Sequence, residues 1–206
     1  MALELGKRLS KGERINLTKN VDDNSSERVN TVCVGSNWGQ ITRKGIFGTS
    51  SESVDLDTSV ILFDENKNKI GEVSYRNLQN SNRSICHSGD DREGDSNGDD
   101  GLDNEVITMD LNRIPSNVHF MVMILNSFSQ QDFKDIPYAR LRVYEGTKSR
   151  VNNVLASYEA SEMKGKAIVL GHFYRKDGWW KFKADGVCSD ERSIDQISNG
   201  TAKSVL

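Results

Sequence analysis

The densest chemistry in the sequence is a run of carboxylates. Residues 88–105 hold eight acids, Asp90, Asp91, Glu93, Asp95, Asp99, Asp100, Asp103 and Glu105, against one base, Arg92. Carboxylate, amide and backbone oxygens are hard donors, and calcium collects about six to eight of them. Gly89, Gly94, Gly98 and Gly101 are interspersed, which lets a backbone curl round an ion. Charges this dense repel one another, so the loop should stay open unless cations enter it. Asp55-Leu56-Asp57 supplies a second acidic pair. In a strand, period two sets Asp55 and Asp57 on one face, where a buried pair calls for a cation between them. A solvated surface loop is the plain alternative. The charge density, the glycines and the second pair together argue against it.

The loop does not fit an EF-hand. Counted from Glu93, the odd positions are Glu93, Asp95, Asn97 and Asp99, and Gly98 falls at the sixth place. The twelfth place falls on Asn104, one short of Glu105, and no helical pattern flanks the run. Magnesium, which takes few carboxylates and keeps its waters, suits eight acids less well than calcium. Two adjacent calcium ions suit them better.

The rest of the chain limits the function classes. The 206 residues carry a formal net charge of −3, so outside a loop of net −7 the chain is slightly basic. That balance offers no broad basic face for nucleic acid. No run approaches the roughly 18 apolar residues of a membrane span, and the start of the chain has no apolar signal core. Cys33, Cys86 and Cys188 are odd in number and widely spaced, which points to a reducing, cytoplasmic setting.

Short β-rich runs recur along the chain. Strands are expected at 29–35, 56–63, 70–75, 106–111, 118–128, 138–144, 154–158, 166–175 and 179–184. The run 118–128 reads as a central strand buried on both faces. Lys176-Asp177-Gly178 joins the clearest hairpin. Residues 9–17 read as a turn and a short extended piece, and 20–28 and 37–53 as loops. A short helix is expected within 189–197. The whole, residues 1–206, reads as one all-β domain, an antiparallel β-sandwich with short peripheral helices.

Four segments in order resemble the bacterial tellurium-resistance (TerD) family. They are Leu9-Ser10-Lys11-Gly12-Glu13-Arg14-Ile15-Asn16-Leu17, Asp55-Leu56-Asp57, the loop from His87 to Glu105, and Tyr174-Arg175-Lys176-Asp177-Gly178-Trp179-Trp180-Lys181-Phe182. The loop is longer than the common family form near Gly101-Leu102-Asp103-Asn104, and the chain is most similar to the TerZ-like branch. The resemblance implies a β-sandwich that binds calcium at adjacent sites, with Asn77 as a further ligand. It also implies a non-enzymatic role in tellurite and other stress responses, in membrane-linked complexes with protein partners at the inner membrane face.

Two other functions use the same residues. In a C2-like domain, calcium bridges loop carboxylates to anionic lipid, with Leu102 as the loop's apolar residue. A metal-assisted hydrolase would use paired carboxylates, yet no Gly-x-Ser-x-Gly, Walker A or HExxH motif is present. His87, His119 and His172 are far apart in sequence, and no cysteine has a local basic cluster to activate it. Trp179 and Trp180 should point to opposite faces of their strand, one into the core. Lys176, Lys181 and Lys183 give that hairpin a basic face.

Overall fold

The computed structural model describes residues 11–22, 25–46 and 48–206. Leu9 and Ser10 of the first motif lie outside them. Two antiparallel sheets face each other. The larger has the order β1 (Arg14–Asn16), β15 (Trp179–Ser189), β14 (Ala167–Lys176), β11 (Phe120–Ser127), β7 (Leu56–Phe63) and β8 (Lys69–Val73). The smaller runs β13 (Arg150–Glu159), β12 (Ala139–Thr147), β4 (Thr31–Trp38), β10 (Glu105–Asp110) and β9 (Ile85–His87). The all-β, sandwich-like class expected from the short alternating runs is the class observed.

Alternation explains the layers. In β7, Leu56, Val60 and Leu62 enter the core between the sheets, where Val34, Met109, Leu141 and Phe182 meet them. Ile61 and Phe63 point the other way and pack with Val122, Ile124 and Val169 beneath α1 (Ile194–Asn199) and α2 (Thr201–Ser204). Strands β7 and β11 are thus buried on both faces, which is why both read as nearly continuous apolar runs. Ser193 caps α1 by accepting from the Gln196 N–H. At the β14–β15 turn, Asp177 (φ 54°) and Gly178 (φ 74°) are both left-handed, as a two-residue type I′ hairpin requires. Trp180 is buried in the core, and Trp179 is half-buried with its indole N–H on Leu17 O.

Two expected loops are ribbons instead. The described residues of the expected 20–28 loop belong to β2 (Thr18–Asp22) and β3 (Ser25–Arg28), and the 37–53 stretch ends β4 and then includes β5 (Ile41–Gly45) and β6 (Gly48–Glu52). The β5–β6 hairpin is almost wholly exposed, so no apolar alternation marks it. Its backbone ladder holds it, and that ladder leaves no trace in hydrophobic pattern. The segment between 75 and 106 also holds the unexpected β9, whose three residues are too few to show a period.

Phe182 is fully buried, with its ring 4.8 Å from that of Phe173. Phe182→Ala is expected to cost about 3–5 kcal/mol of unfolding free energy, measured by urea denaturation. A loss under about 1 kcal/mol would mean that the two sheets do not close on this ring.

Candidate metal centre

The acidic loop joins β9 to β10 and folds over the end of the sandwich where β7 begins. Oxygens of Asp55, Asp57 and Asp90 lie within 4.8 Å of one another, and those of Asp95, Asp99 and Asp100 form a second such group. The first group is set into the protein, with Asp55 and Asp57 buried and Asp90 exposed at its mouth. The second is half-buried at Asp95 and exposed at Asp99 and Asp100.

The first group is electrostatically strained. Burial, then the negative charges of Glu105 and Asp55, push the Asp57 carboxyl up to about 8, although the Asn126 amide opposes this. Burial and the Asp90 charge raise Asp55 to about 6, against a partial relief from Arg92. Asp57 Oδ2 accepts from Asn126 Nδ2 at 3.0 Å, across the β7–β11 pair in which the two residues are direct partners. Asp55 Oδ1 is buried without a hydrogen-bond partner, and so is Asn126 Oδ1. Orphaned buried oxygens are uncommon, because an unmade hydrogen bond costs about 1–3 kcal/mol. A hard divalent cation would satisfy such oxygens and relieve the repulsion, so the donor set fits one.

Glu105 is fully buried behind this group. Its Oε2 accepts from the Thr58 N–H at 2.8 Å and its Oε1 from the Asp91 N–H at 3.3 Å. The His87 ring closes the back. Gly89 N–H donates to Nδ1, so the proton sits on Nε2, 3.2 Å from Thr58 O and 3.4 Å from Glu105 Oε2.

The remaining acids have defined partners. Despite desolvation, Asp91 is held below the usual carboxylate range by the N–H groups of Glu93 and Gly94 and by the Asn104 amide. Asp95 accepts from the Tyr138 hydroxyl at 2.9 Å and from the amides of Asn37 and Asn104. Asp99 pairs with Arg140 at 3.1 Å. Asp100 accepts from the Leu102 N–H. Asp103 is nearly buried against Arg142 at 2.8 Å, lying over Gly35 so closely that a Cβ there would fall 2.0 Å from its Oδ2. Burial raises Asp103 even so, with Arg142 opposing. Glu93 is exposed, and its carbonyl accepts from the Val54 N–H. Asn77 is exposed too, its amide on Glu72 O, beside a separate depression that includes Leu62 and Asn80.

Two residues not singled out from the sequence organise the loop. Asn104 Nδ2 spans Asp91 and Asp95 at 3.2 and 3.1 Å, while its Oδ1 accepts from the Trp38 N–H. Trp38 is fully buried, its indole N–H on Val54 O and its carbonyl on the Asp95 N–H. Gly94, at φ 73°, lies so close to the indole that a Cβ would fall 2.6 Å from the ring. Asn126, the first polar residue after the apolar stretch 120–125, was the signal in the sequence for the partner of Asp57.

This geometry sits on a fold with known relatives. Residues 5–197 match the TerD domain. The chain belongs to the TerD family. It is 30% identical over 202 residues to tellurium resistance protein TerZ of Serratia marcescens, covering 96% of this chain and 98% of that one. Stress response protein SCP2 of Bacillus subtilis (strain 168) is 28% identical over 201 residues, covering 92% and 96%. The crystal structure of a homologue of telluride resistance protein (TerD) from Streptomyces coelicolor A3(2) superposes with a TM-score of 0.68 at 15% identity, over 84% of this chain and 98% of that one. At that identity the likeness concerns the fold alone. Among the described residues of this TerD-family chain, no helix is long and apolar enough to cross a membrane.

An unfolded Asp titrates near 3.8 and folded Asp57 near 8, so the fold holds this proton more tightly than the unfolded chain does. The group's contribution to stability is fully present below about pH 4 and is lost as pH rises through about 8. Metal-free protein should therefore be less stable at about pH 9 than at about pH 6, and Asp57→Asn should flatten that slope. Urea denaturation of EDTA-treated protein across this range measures both. Parallel pH profiles for the two proteins would contradict the assignment.

Proposed function

We propose that this TerD-family protein is a calcium-binding, non-enzymatic stress-response module associated with tellurite resistance. The observation that carries the reading is the Asp55–Asp57–Asp90 group, in which one Asp55 oxygen is buried and unpartnered. Asp55, Asp57 and Asp90 would hold one calcium ion, and Asp95, Asp99 and Asp100 a second. Bound calcium supplies positive charge that neutralises the carboxylates, and the loop then presents a partner surface. The Serratia TerZ and Bacillus SCP2 relatives, named as resistance and stress proteins, support the physiological side. The chain acts as a single TerD-like unit, on protein partners, in the cytoplasm or at the inner membrane face.

A second reading has an observation in its favour. Phe128, whose N–H donates to Asp55 O, and Leu102 in the acidic loop are both exposed beside the carboxylates. Apolar side chains flanking a calcium loop suit insertion into an anionic lipid surface. Calcium-dependent pelleting with anionic liposomes supports this reading, and its absence removes it.

The primary test is a thermal melt of EDTA-stripped protein with calcium, magnesium or neither. At about 100 times the dissociation constant, a ligand of the folded state adds roughly 2.7 kcal/mol. A large upward shift with calcium, much smaller with magnesium, is expected for the wild type and should vanish in Asp55→Asn and Asp90→Asn. Asp103→Asn, which breaks an ion pair with Arg142, should lower the melt yet keep the calcium response. No calcium shift in the wild type would make the loop a solvated surface feature.

A further inference from the structure

The outer face of the six-stranded sheet is only half covered. Helices α1 and α2 sit on Ile61, Val122 and their neighbours. The strands beyond them carry cations. Register places Arg14 opposite Lys183 and Lys183 opposite His172, in the cross-strand row that continues into Val122. The next row puts Lys181 opposite Tyr174, and Tyr174 opposite Phe120. Directly opposed residues share a face, so these side chains converge. They line a cleft of about 480 Å³ together with Lys176, and Val205 and Leu206 at the end of α2 form its apolar wall.

The charge in this cleft is unbalanced. Lys183 and the buried His172 share Asp185, at 2.9 and 2.6 Å, and Lys181 pairs with Asp177 at 2.8 Å. Arg14 and Lys176 are exposed and form no ion pair with any described residue. Four fixed cations thus face two carboxylates. Edge strand β1 brings Arg14 toward lysines from two other strands, so the two carboxylates offset the repulsion here only in part.

We propose that this cleft binds a doubly charged oxyanion of the phosphate class, either inorganic phosphate or the phosphate group of a small organic molecule. The excess of two positive charges matches a dianion. The guanidinium of Arg14 offers a two-pronged donor and the lysines offer point charges. The aromatic row Phe120–His172–Tyr174, with ring centres 6.3 and 5.6 Å apart, and the wall at Val205 and Leu206 leave room for an organic portion. The cleft is separate from the acidic end. Four residues along β7 and three strands across put Asp57 and Lys183 roughly 20 Å apart, well beyond the screening length of about 8 Å at physiological salt. Anion binding here does not depend on calcium.

The test is isothermal titration of the full chain, in EDTA, with inorganic phosphate and separately with a phosphomonoester. The double variant Arg14→Ala/Lys176→Ala changes two exposed side chains, and its melt should match that of the wild type. It is expected to lose affinity for both anions by about tenfold or more. Lys176→Met alone should lose part of it. Lys44→Ala, on the remote β5–β6 hairpin, should lose none. Tighter binding of the phosphomonoester than of phosphate assigns the apolar wall to the organic portion, and equal binding assigns the site to the oxyanion alone. Wild type and double variant binding alike, an equal loss in Lys44→Ala, or no binding by the wild type would each overturn the proposal. None of these results depends on the calcium melt.

Discussion

Repulsion among carboxylates gathered at one end of the sandwich is the constraint that the local structure answers. Asp55, Asp57 and Glu105 are all buried where β7 and β10 meet the loop, and nothing apolar can neutralise them. The protein answers with N–H donors: Thr58 and Asp91 on Glu105, Glu93 and Gly94 on Asp91, Asn126 on Asp57. Such bonds stabilise charge at fixed positions but leave the net charge unchanged. Burial first, and then the charges left uncompensated on Glu105 and Asp55, raise Asp57 to about 8.

The scaffold that carries this strain is stiff. Strand β7 packs on both faces, with the inter-sheet core on one side and the helices on the other. Its N-terminal end therefore has little freedom to carry Asp55 and Asp57 apart. The loop is tied from the opposite side by Trp38, whose backbone meets Asn104 and Asp95 and whose indole meets Val54. Interiors packed this closely transmit strain and do not dissipate it.

Much of the candidate site was legible because its chemistry is written in residue types. A loop with eight acids and four glycines announces itself, and Asp-Leu-Asp at a strand head reads directly from period two. The buried strands were legible for a related reason, since apolar runs such as 118–128 declare burial on both faces. The exposed β5–β6 ribbon was not legible, because backbone pairing without burial leaves no hydrophobic pattern. Nor were Asn104, Asn126 and Trp38 legible as partners. An asparagine that bridges two aspartates differs from a turn asparagine only through contacts far along the chain, such as Asn104 to Trp38 across 66 positions. Loop acids also looked equivalent in sequence, and only the fold separates Asp90 at an open mouth from Asp103 locked against Arg142.

That separation ranks the two acidic groups. Asp95 is held by a tyrosine hydroxyl and two amides, and Asp99 by Arg140, so a cation at the second group competes with donors already in place. Its exposed members also feel screening by solvent and salt. The first group has the reverse balance. Asp55 Oδ1 has no competing donor, and burial concentrates the field of the neighbouring carboxylates on it. A cation entering there displaces no hydrogen bond from that oxygen and meets a frame fixed by packing, which keeps the ordering cost of binding low. If both groups take a cation as proposed, preorganised repulsion would make the first the stronger candidate and the hydrogen-bonded second group the weaker.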